Sequence, residues 1–247
     1  MPEQVKILTS RRAYEYGPDA LRLTMLSIQA VHLQIQQLFG FQSTVIGTPM
    51  ATFGEVPVTY PPGVVFNLAA WIHREEYIVP IRFIHFEQNR IVIDAAGPSA
   101  AIDGIAERLF HFLSGLRAAD GTSVVGEPER ILDYSEISAR FSYPLDALLP
   151  RPVRRLLSKT ISIGGDTTSK VIIPTVSVRA FPKDEKVPVI PSTTDPHAFT
   201  FALRSGTRPD EFIYYSGAPL DSETHLNYLN ELEVVFTRSR QAKTGER

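Results

Sequence analysis

The residues with the clearest chemical potential are His85 and Glu87, in the stretch His85-Phe86-Glu87. Side chains two positions apart share one face of a strand, so the imidazole and the carboxylate are predicted to lie side by side. The H-x-E pattern of zinc deaminases looks similar, but it also needs a downstream Cys-x-x-Cys, and this chain has no cysteine. Together with Arg82 and Arg140 the pair forms a weak candidate for a catalytic site. A polar strand end beside a turn explains it more simply.

A basic run is the strongest charge feature of the chain. It could form a phosphate-binding or nucleic-acid-binding face on a short helix. A solvated helix face is the simpler interpretation, because the formal net charge of the whole chain is −2. The run consists of Arg151, Arg154, Arg155 and Lys159.

The other titratable residues are scattered. Asp94 ends a predicted strand just before a helix, and His225 lies close to Glu223, where capping and solvent exposure would explain it. The chain has no HExxH, G-x-S-x-G, Walker or G-x-G-x-x-G motif. We therefore expect no metal site, no cofactor and no assembled catalytic group, and the protein is more simply interpreted as a non-enzyme.

The elements that would position these residues are clearest in the middle of the chain. Alternation of apolar residues predicts three antiparallel strands, and a wide apolar stripe then predicts a helix. Strict alternation places Arg82 on one face with Ile84 and Phe86, and Pro80 suggests a bulge nearby. We expect Phe83 and Leu109 to bury against each other's elements. The predicted strands are 63–72, 77–87 and 90–95, and the predicted helix starts at Ser99 and ends near Gly115.

The same order of helix, strand, three-strand meander and helix recurs in the second half. This predicts an α+β protein with mainly antiparallel sheets backed by helices, and suggests an internal duplication. We expect a first half at 1–127, a second half at 128–238 packed on it, and a disordered tail at 239–247. Further expectations are an edge strand at 5–8, a helix at 19–39, a strand at 130–143, strands at 171–181, 197–205 and 211–217, a helix at 222–238, and a Pro-rich arm at 182–196.

Composition is that of an ordinary globular protein. Of 247 residues, 43% are hydrophobic and 21% are charged, so the chain can build a sizeable core. The N-terminus lacks the apolar segment of a signal peptide, and no apolar run approaches membrane-spanning length. We expect a cytoplasmic protein with no membrane contact.

Several stretches resemble a sporadically distributed family of uncharacterised bacterial proteins of about this length. The likeness is one of layout, covers about half the chain, and does not extend to the N-terminal segment. It implies no catalytic residues, because no activity is established for that family. The matching stretches are Val124-Val125-Gly126, Arg130 with Tyr134-Ser135-Glu136-Ile137 and Arg140-Phe141, Asp146-Ala147-Leu148-Leu149-Pro150, and Asp221, His225, Leu229, Leu232 and Phe236.

Three functions remain open from the sequence. The first is a non-enzymatic binding or assembly module that presents a sheet face or the Pro-rich arm to a protein partner or to a second copy of itself. The second is an enzyme or small-ligand-binding protein with a cleft between its halves, using His85, Glu87, Arg82 or Arg140. The third is a nucleic-acid-binding protein acting through the basic run from Arg151 to Lys159. Absence of any catalytic motif favours the first.

Overall fold

The structure is a computed structural model that describes residues 1–18, 20–22, 29–46, 50–53, 56–59, 63–73, 77–118, 120–144, 152, 175–179 and 198–244. As expected, the protein is α+β, with three α-helices and a nine-stranded antiparallel sheet among these residues. The helices are α1 (Gln29–Phe39), α2 (Ser99–Gly115) and α3 (Ser222–Thr244). The strands are β1 (Glu3–Glu15), β2 (Ser43–Ile46), β3 (Met50–Phe53), β4 (Val56–Thr59), β5 (Gly63–His73), β6 (Tyr77–Glu87), β7 (Arg90–Ala95), β8 (Arg130–Arg140), β9 (Thr175–Arg179), β10 (Ala198–Leu203) and β11 (Ile213–Ala218).

The chain divides into two compact units. The N-terminal unit contains Ile7–Ser135 and Leu220–Ser222, and the C-terminal unit contains Met1–Lys6, Glu136–Pro219 and Glu223–Arg247. Strands of the N-terminal unit follow the order β2-β5-β6-β7-β1-β8, and those of the C-terminal unit follow β1-β8-β11-β10-β9. Strands β1 and β8 contribute residues to both units, and β3 pairs with β4 in a separate hairpin. No described helix is both long and apolar enough to cross a membrane.

The core of the N-terminal unit lies between the sheet and α1 and α2. Leu109 and Ile102 of α2 and Ile35 of α1 are completely buried there. They share one hydrophobic cluster with Phe66, Ile84, Phe86, Ile91 and Ile93 of the sheet. The central strands and α2 therefore have the predicted extents, because apolar spacing and short turns determine both.

Strand β6 departs from strict alternation at Arg82. Ile81 pairs with Ala95 of β7 and Phe83 pairs with Asp94, so Arg82 is an extra residue, a β-bulge two positions after Pro80. The expected bulge is thus present. The bulge shifts the alternation of side chains by one residue. Val79 and Ile81 before it therefore face the helices together with Ile84 and Phe86 after it.

This shift corrects the expectation that Phe83 and Leu109 bury against each other's elements. Phe83 does not belong to the cluster around Leu109; it is half-buried on the opposite face, beside Arg11. Leu68 lies opposite the bulge, between the paired residues Asn67 and Ala69, and has φ +58°. It shifts the alternation of β5 in the same way, so Ala69 and Trp71 pack on the core. We call the sheet surface that carries Phe83, His85, Val92 and Asp94 the outer face, because it points away from α1 and α2.

Strand β1 is longer and more central than predicted. The sequence suggested only a short edge strand at 5–8, but β1 lies between β7 and β8 and pairs with β7 from Ser10 to Glu15. Its polar residues alternate between two environments. Arg11 points to the outer face toward Asp94, whereas Arg12 lies on the helix side and bonds Asp133 and Asp103. The carboxylates on other elements allow these arginines inside a central strand.

The first helix also differs from its expected start. Leu21 forms a β-bridge with Val125, so the chain is not helical there, although residue 19 itself lies outside the described residues. Helix α1 begins at Gln29 within the described part and buries Val31, Ile35 and Phe39 as expected.

The C-terminal unit is built around aromatic rings. Phe141 meets Phe201 edge-on at a centroid distance of 5.0 Å, and Phe201 stacks on Tyr214 at 4.9 Å. Strand β11 starts at Ile213, later than predicted, because Phe212 ends the preceding 3₁₀ turn in a left-handed conformation at φ +53°. Helix α3 continues past Arg238 to Thr244, into the stretch for which we predicted disorder.

Candidate functional site

The outer face carries a buried carboxylate held by two arginines. Asp94 on β7 is completely buried, and its Oδ1 accepts a hydrogen bond of 2.6 Å from Arg82 Nε. Its Oδ2 accepts a bond of 2.8 Å from Arg11 Nε, and Arg11 Nη2 lies at the same distance. Arg82 Nη2 also donates to Thr9. The bulge makes this possible, because it turns Arg82 out of the core toward Asp94.

The two guanidinium groups are oriented but remain accessible. The side chain of Arg11 is 38% exposed and that of Arg82 is 44% exposed. Arg11 also lies over two rings, 5.5 Å from the centroid of Phe83 and 5.8 Å from that of Tyr134. Neither Nη1 group takes part in the contacts to Asp94 and Thr9. Among the described residues, two guanidinium groups share one carboxylate in this cluster, which we call the arginine pair, so the cluster carries a net positive charge.

An apolar surface begins directly beside Arg82. Between the bulge and the hairpin turn, the outer face of β5 and β6 presents Ile72 opposite Ile78 and Ala70 opposite Pro80. Ile72 is 63% exposed, Ile78 is 67% exposed and Leu68 is 54% exposed. Exposed apolar side chains in adjacent register mark a contact surface more often than isolated ones do. We call Leu68, Ala70, Ile72, Ile78 and Pro80 the apolar strip.

The predicted pair His85 and Glu87 lies on the same outer face, with Arg90 beside it. His85 Nδ1 is 3.2 Å from Glu87 Oε1, and Arg90 Nε donates to Glu87 Oε2 at 2.9 Å. Burial raises the pKa of Glu87, but hydrogen bonds from His85 and Arg90 outweigh it and hold that pKa below its usual value. Gly63 allows the close strand approach here, because a Cβ would lie 2.0 Å from the Phe86 carbonyl oxygen.

The described residues beside His85 include Glu87 and two valines. Its cross-strand neighbours are Val65 on β5 and Val92 on β7. The His85 side chain is 10% exposed, and its Nε2 finds no hydrogen-bond partner among the described residues. A catalytic histidine works with a nucleophile or a second proton-transfer group. Among the described residues, the carboxylate of Glu87 is the group of this kind that His85 contacts. Within the described part of the chain there is also no group of three metal-ligating side chains.

The remaining sequence candidates lie elsewhere. Arg140 is exposed at the end of β8 in the C-terminal unit, whereas His85, Glu87 and Arg82 belong to the N-terminal unit. The Pro-rich arm and the basic run lie outside the described residues, so their roles stay predictions. The basic run consists of Arg151, Arg154, Arg155 and Lys159.

A second histidine has a structural role that the sequence did not indicate. His225, which we expected at the surface, is completely buried, and its Nε2 lies 2.8 Å from the hydroxyl of Ser216. Phe199 packs edge-on against the ring at a centroid distance of 6.1 Å. A buried Ser–His pair of this kind satisfies both polar groups and joins α3 to β11 inside the C-terminal unit.

Arg11 is the site residue that the sequence analysis missed. Its stretch shows little hydrophobic periodicity, so β1 was not recognised there as a central strand. The available signal was the presence of two neighbouring arginines, Arg11 and Arg12, together with a carboxylate, Asp94, at the end of a predicted strand.

No family model matches the chain, and no curated protein matches its sequence.

The lowered pKa of Glu87 predicts a pH-dependent stability. Between the ordinary value of 4.5 and the lower folded value, the unfolded chain binds a proton that the folded protein does not. The free energy of unfolding should therefore fall as the pH drops through this window. We expect Glu87→Gln to lose less stability than the unmodified protein between about pH 5 and pH 3, as measured by urea unfolding. Glu107→Gln, an exposed change on α2, is the control; equal slopes for Glu87→Gln and the unmodified protein would contradict the assignment.

Proposed function

We propose that this protein is a non-enzymatic binding module, and that the outer face of its N-terminal unit binds a protein partner. The observation that carries the proposal is the arginine pair, oriented by buried Asp94 and adjoining the exposed apolar strip. Interfaces combine an apolar contact region with a few oriented polar groups, and arginine is enriched in them.

The chemistry of this surface defines the partner. The net positive charge of the arginine pair among the described residues favours a carboxylate, and the fork of an arginine binds a carboxylate through two parallel hydrogen bonds. The apolar strip favours aliphatic or aromatic side chains a few residues away. The partner segment is therefore an acidic residue flanked by apolar residues. Glu87 is already hydrogen-bonded to Arg90. We therefore assign His85 and Glu87 a structural role, which is to stabilise the ends of β6 and β7.

Selection from a library of short randomised peptides tests this proposal. We expect enrichment of sequences with an acidic residue next to apolar ones. Binding of the resulting peptide, followed by fluorescence anisotropy, should weaken by about 10- to 100-fold in Arg82→Gln, since the charge-assisted hydrogen bond to the peptide is lost. Ile78→Ser should also weaken binding, because the apolar strip loses contact area.

The controls are matched changes on β8 of the same protein. Arg130→Gln removes an exposed arginine and Ile131→Ser removes an exposed isoleucine that is 52% accessible. Both should leave the peptide affinity unchanged. Selection of basic or purely polar peptides would overturn the proposal, as would equal effects of Arg82→Gln and Arg130→Gln.

A further inference from the structure

One edge of the nine-stranded sheet is open beside the apolar strip. Among the described residues, β2 pairs with β5 as far as Asn67, and Gln42 N then donates to the carbonyl oxygens of Asn67 and Leu68 at 3.2 and 3.0 Å. Strand β5 continues to His73, and its neighbours in the described sheet are β2 and β6. From Ala69 onward, β5 is therefore an edge strand within the described part of the chain.

The backbone groups on this edge can be identified from Pro80 of β6. The carbonyl oxygen of Pro80 accepts a hydrogen bond of 2.8 Å from Ala96 N, directly after β7, so it points away from β5. Ala70 lies opposite Pro80, and the two residues form the kind of antiparallel pair that exchanges no hydrogen bonds. The N–H and C=O groups of Ala70 consequently point away from β6, toward the edge. Those of Ile72, two positions further on, have the same direction.

The sequence of this edge does not oppose pairing with another strand. Edge strands are commonly protected by charged side chains, proline or bulges. The stretch Ala69-Ala70-Trp71-Ile72 contains no charged residue and no proline. Ala70 is exposed and Ile72 is 63% exposed. An unprotected edge of this kind is a template for a further strand.

Trp71 is held in one orientation on the helix side of the same edge. Its ring packs near Phe39 of α1 at a centroid distance of 6.2 Å, and the guanidinium carbon of Arg108 lies 5.9 Å from the ring centroid. Gly104 of α2 allows this close packing, since a Cβ there would lie 3.2 Å from Cζ2 of the indole. The half-buried ring therefore offers an ordered aromatic surface next to the free backbone groups.

The edge is complementary to itself. When two copies of β5 run antiparallel about a two-fold axis at Trp71, Ala70 of each copy lies opposite Ile72 of the other. Because the backbone groups of both residues point to the edge, each of these pairs exchanges two hydrogen bonds. We infer that β5 pairs with β5 of a second copy in this register, which forms a symmetric dimer with a sheet that continues from one copy into the other. Two-fold dimers of this kind are the commonest oligomers.

The side chains fit the same register. Ala70 and Ile72 both belong to the outer face, so a small residue lies beside a large one and the two apolar strips become one surface. Trp71 lies opposite Trp71 of the second copy, where the Cβ atoms of a cross-strand pair approach to about 4.5–5.5 Å and aromatic pairs are favourable. The arginine pair lies on β1 and β6 and stays accessible, so the inference does not depend on the proposed function.

Engineered cysteines test the register, because the chain has no cysteine of its own. The Cα atoms of a hydrogen-bonded antiparallel pair are about 5.5 Å apart, which a disulfide can bridge. Two Ala70 positions, or two Ile72 positions, would lie diagonally at about 7–8 Å, beyond that reach. We expect an equimolar mixture of Ala70→Cys and Ile72→Cys chains, treated with oxidised glutathione, to form covalent dimer at least about 10-fold faster than either variant alone.

Sedimentation analysis tests the association itself. The unmodified full chain should reach twice its mass of 27.5 kDa as its concentration rises. Ala70→Pro removes an N–H that points to the edge, so β5 should still pair with β6, while the dissociation constant of the dimer rises by at least about 10-fold. Ala70→Thr keeps that N–H and should still dimerise, and urea unfolding compares the folded state of the two variants.

Three results would overturn the inference. The first is a monomer at every concentration, which would leave the edge to a different protein. The second is equal cross-linking in the mixture and in the single variants. The third is a folded Ala70→Pro protein that dimerises as tightly as Ala70→Thr. Where Ala70→Pro does not fold, the comparison of the cysteine variants decides, because neither of them alters the backbone.

Discussion

Leu109→Ala should lower the free energy of unfolding of the N-terminal unit by about 2–5 kcal/mol. Leu109 lies at the centre of α2, is completely buried, and belongs to the cluster that joins both helices to the sheet. Removing three carbon atoms there loses burial and leaves a cavity that a well-packed core fills only in part.

The measurement is urea unfolding followed by fluorescence of Trp71, the single tryptophan of the chain. Trp71 packs against this core, so its emission reports on the N-terminal unit. Ile78→Ala is the control, because Ile78 is 67% exposed, and it should change stability by less than about 0.5 kcal/mol. A loss below about 1 kcal/mol for Leu109→Ala would remove α2 from the core.

The second large effect is expected at Asp94. Replacing it by asparagine removes the charge that two guanidinium groups share, while the shape of the side chain is kept. We expect a loss of about 2–3 kcal/mol, since hydrogen bonds to a buried charged group are worth about this much. Partial exposure of Arg11 and Arg82 keeps the loss below that of a fully buried pair, because water can solvate the arginines.

Asp103→Asn provides a matched control. Asp103 also bonds an arginine of β1, Arg12, but its side chain is 60% exposed. Asp133 still bonds Arg12 after the change, so the loss should stay below about 1 kcal/mol. The peptide affinity of the outer face should fall in Asp94→Asn, because its arginines lose their orientation, and should not change in Asp103→Asn. Equal stability losses in the two variants would refute the conclusion that the buried carboxylate of Asp94 stabilises the protein through its two arginines.

The sequence analysis identified the central elements because their hydrophobic signals are local. β6, β7 and α2 have the predicted limits, since turns, a terminal glycine and apolar spacing are all properties of neighbouring residues. The bulge was expected from Pro80, but its position at Arg82 was not. Strict alternation placed the charged Arg82 with Ile84 and Phe86 in the core. A charged side chain in the core is unfavourable, and this conflict was the signal that the alternation of side chains shifts at Arg82.

The candidate site was harder to predict because its parts come from distant segments. Arg82 and Asp94 were both noticed, but nothing in their neighbourhood indicates Arg11, which reaches Asp94 from β1 across the sheet. Side-chain convergence of this kind depends on strand order, which hydrophobic periodicity does not determine.

The bulge at Arg82 also has a consequence for how the chain folds. The part of β6 that precedes Arg82 is apolar on both faces, with Val79 and Ile81 on one face and Ile78 and Pro80 on the other. A slip of one residue would therefore exchange these faces at little hydrophobic cost. The slipped pairing would, however, direct Arg82 beneath α2 and separate it from Asp94. The attraction between Arg82 and Asp94 thus favours one hairpin register over another of similar hydrophobicity.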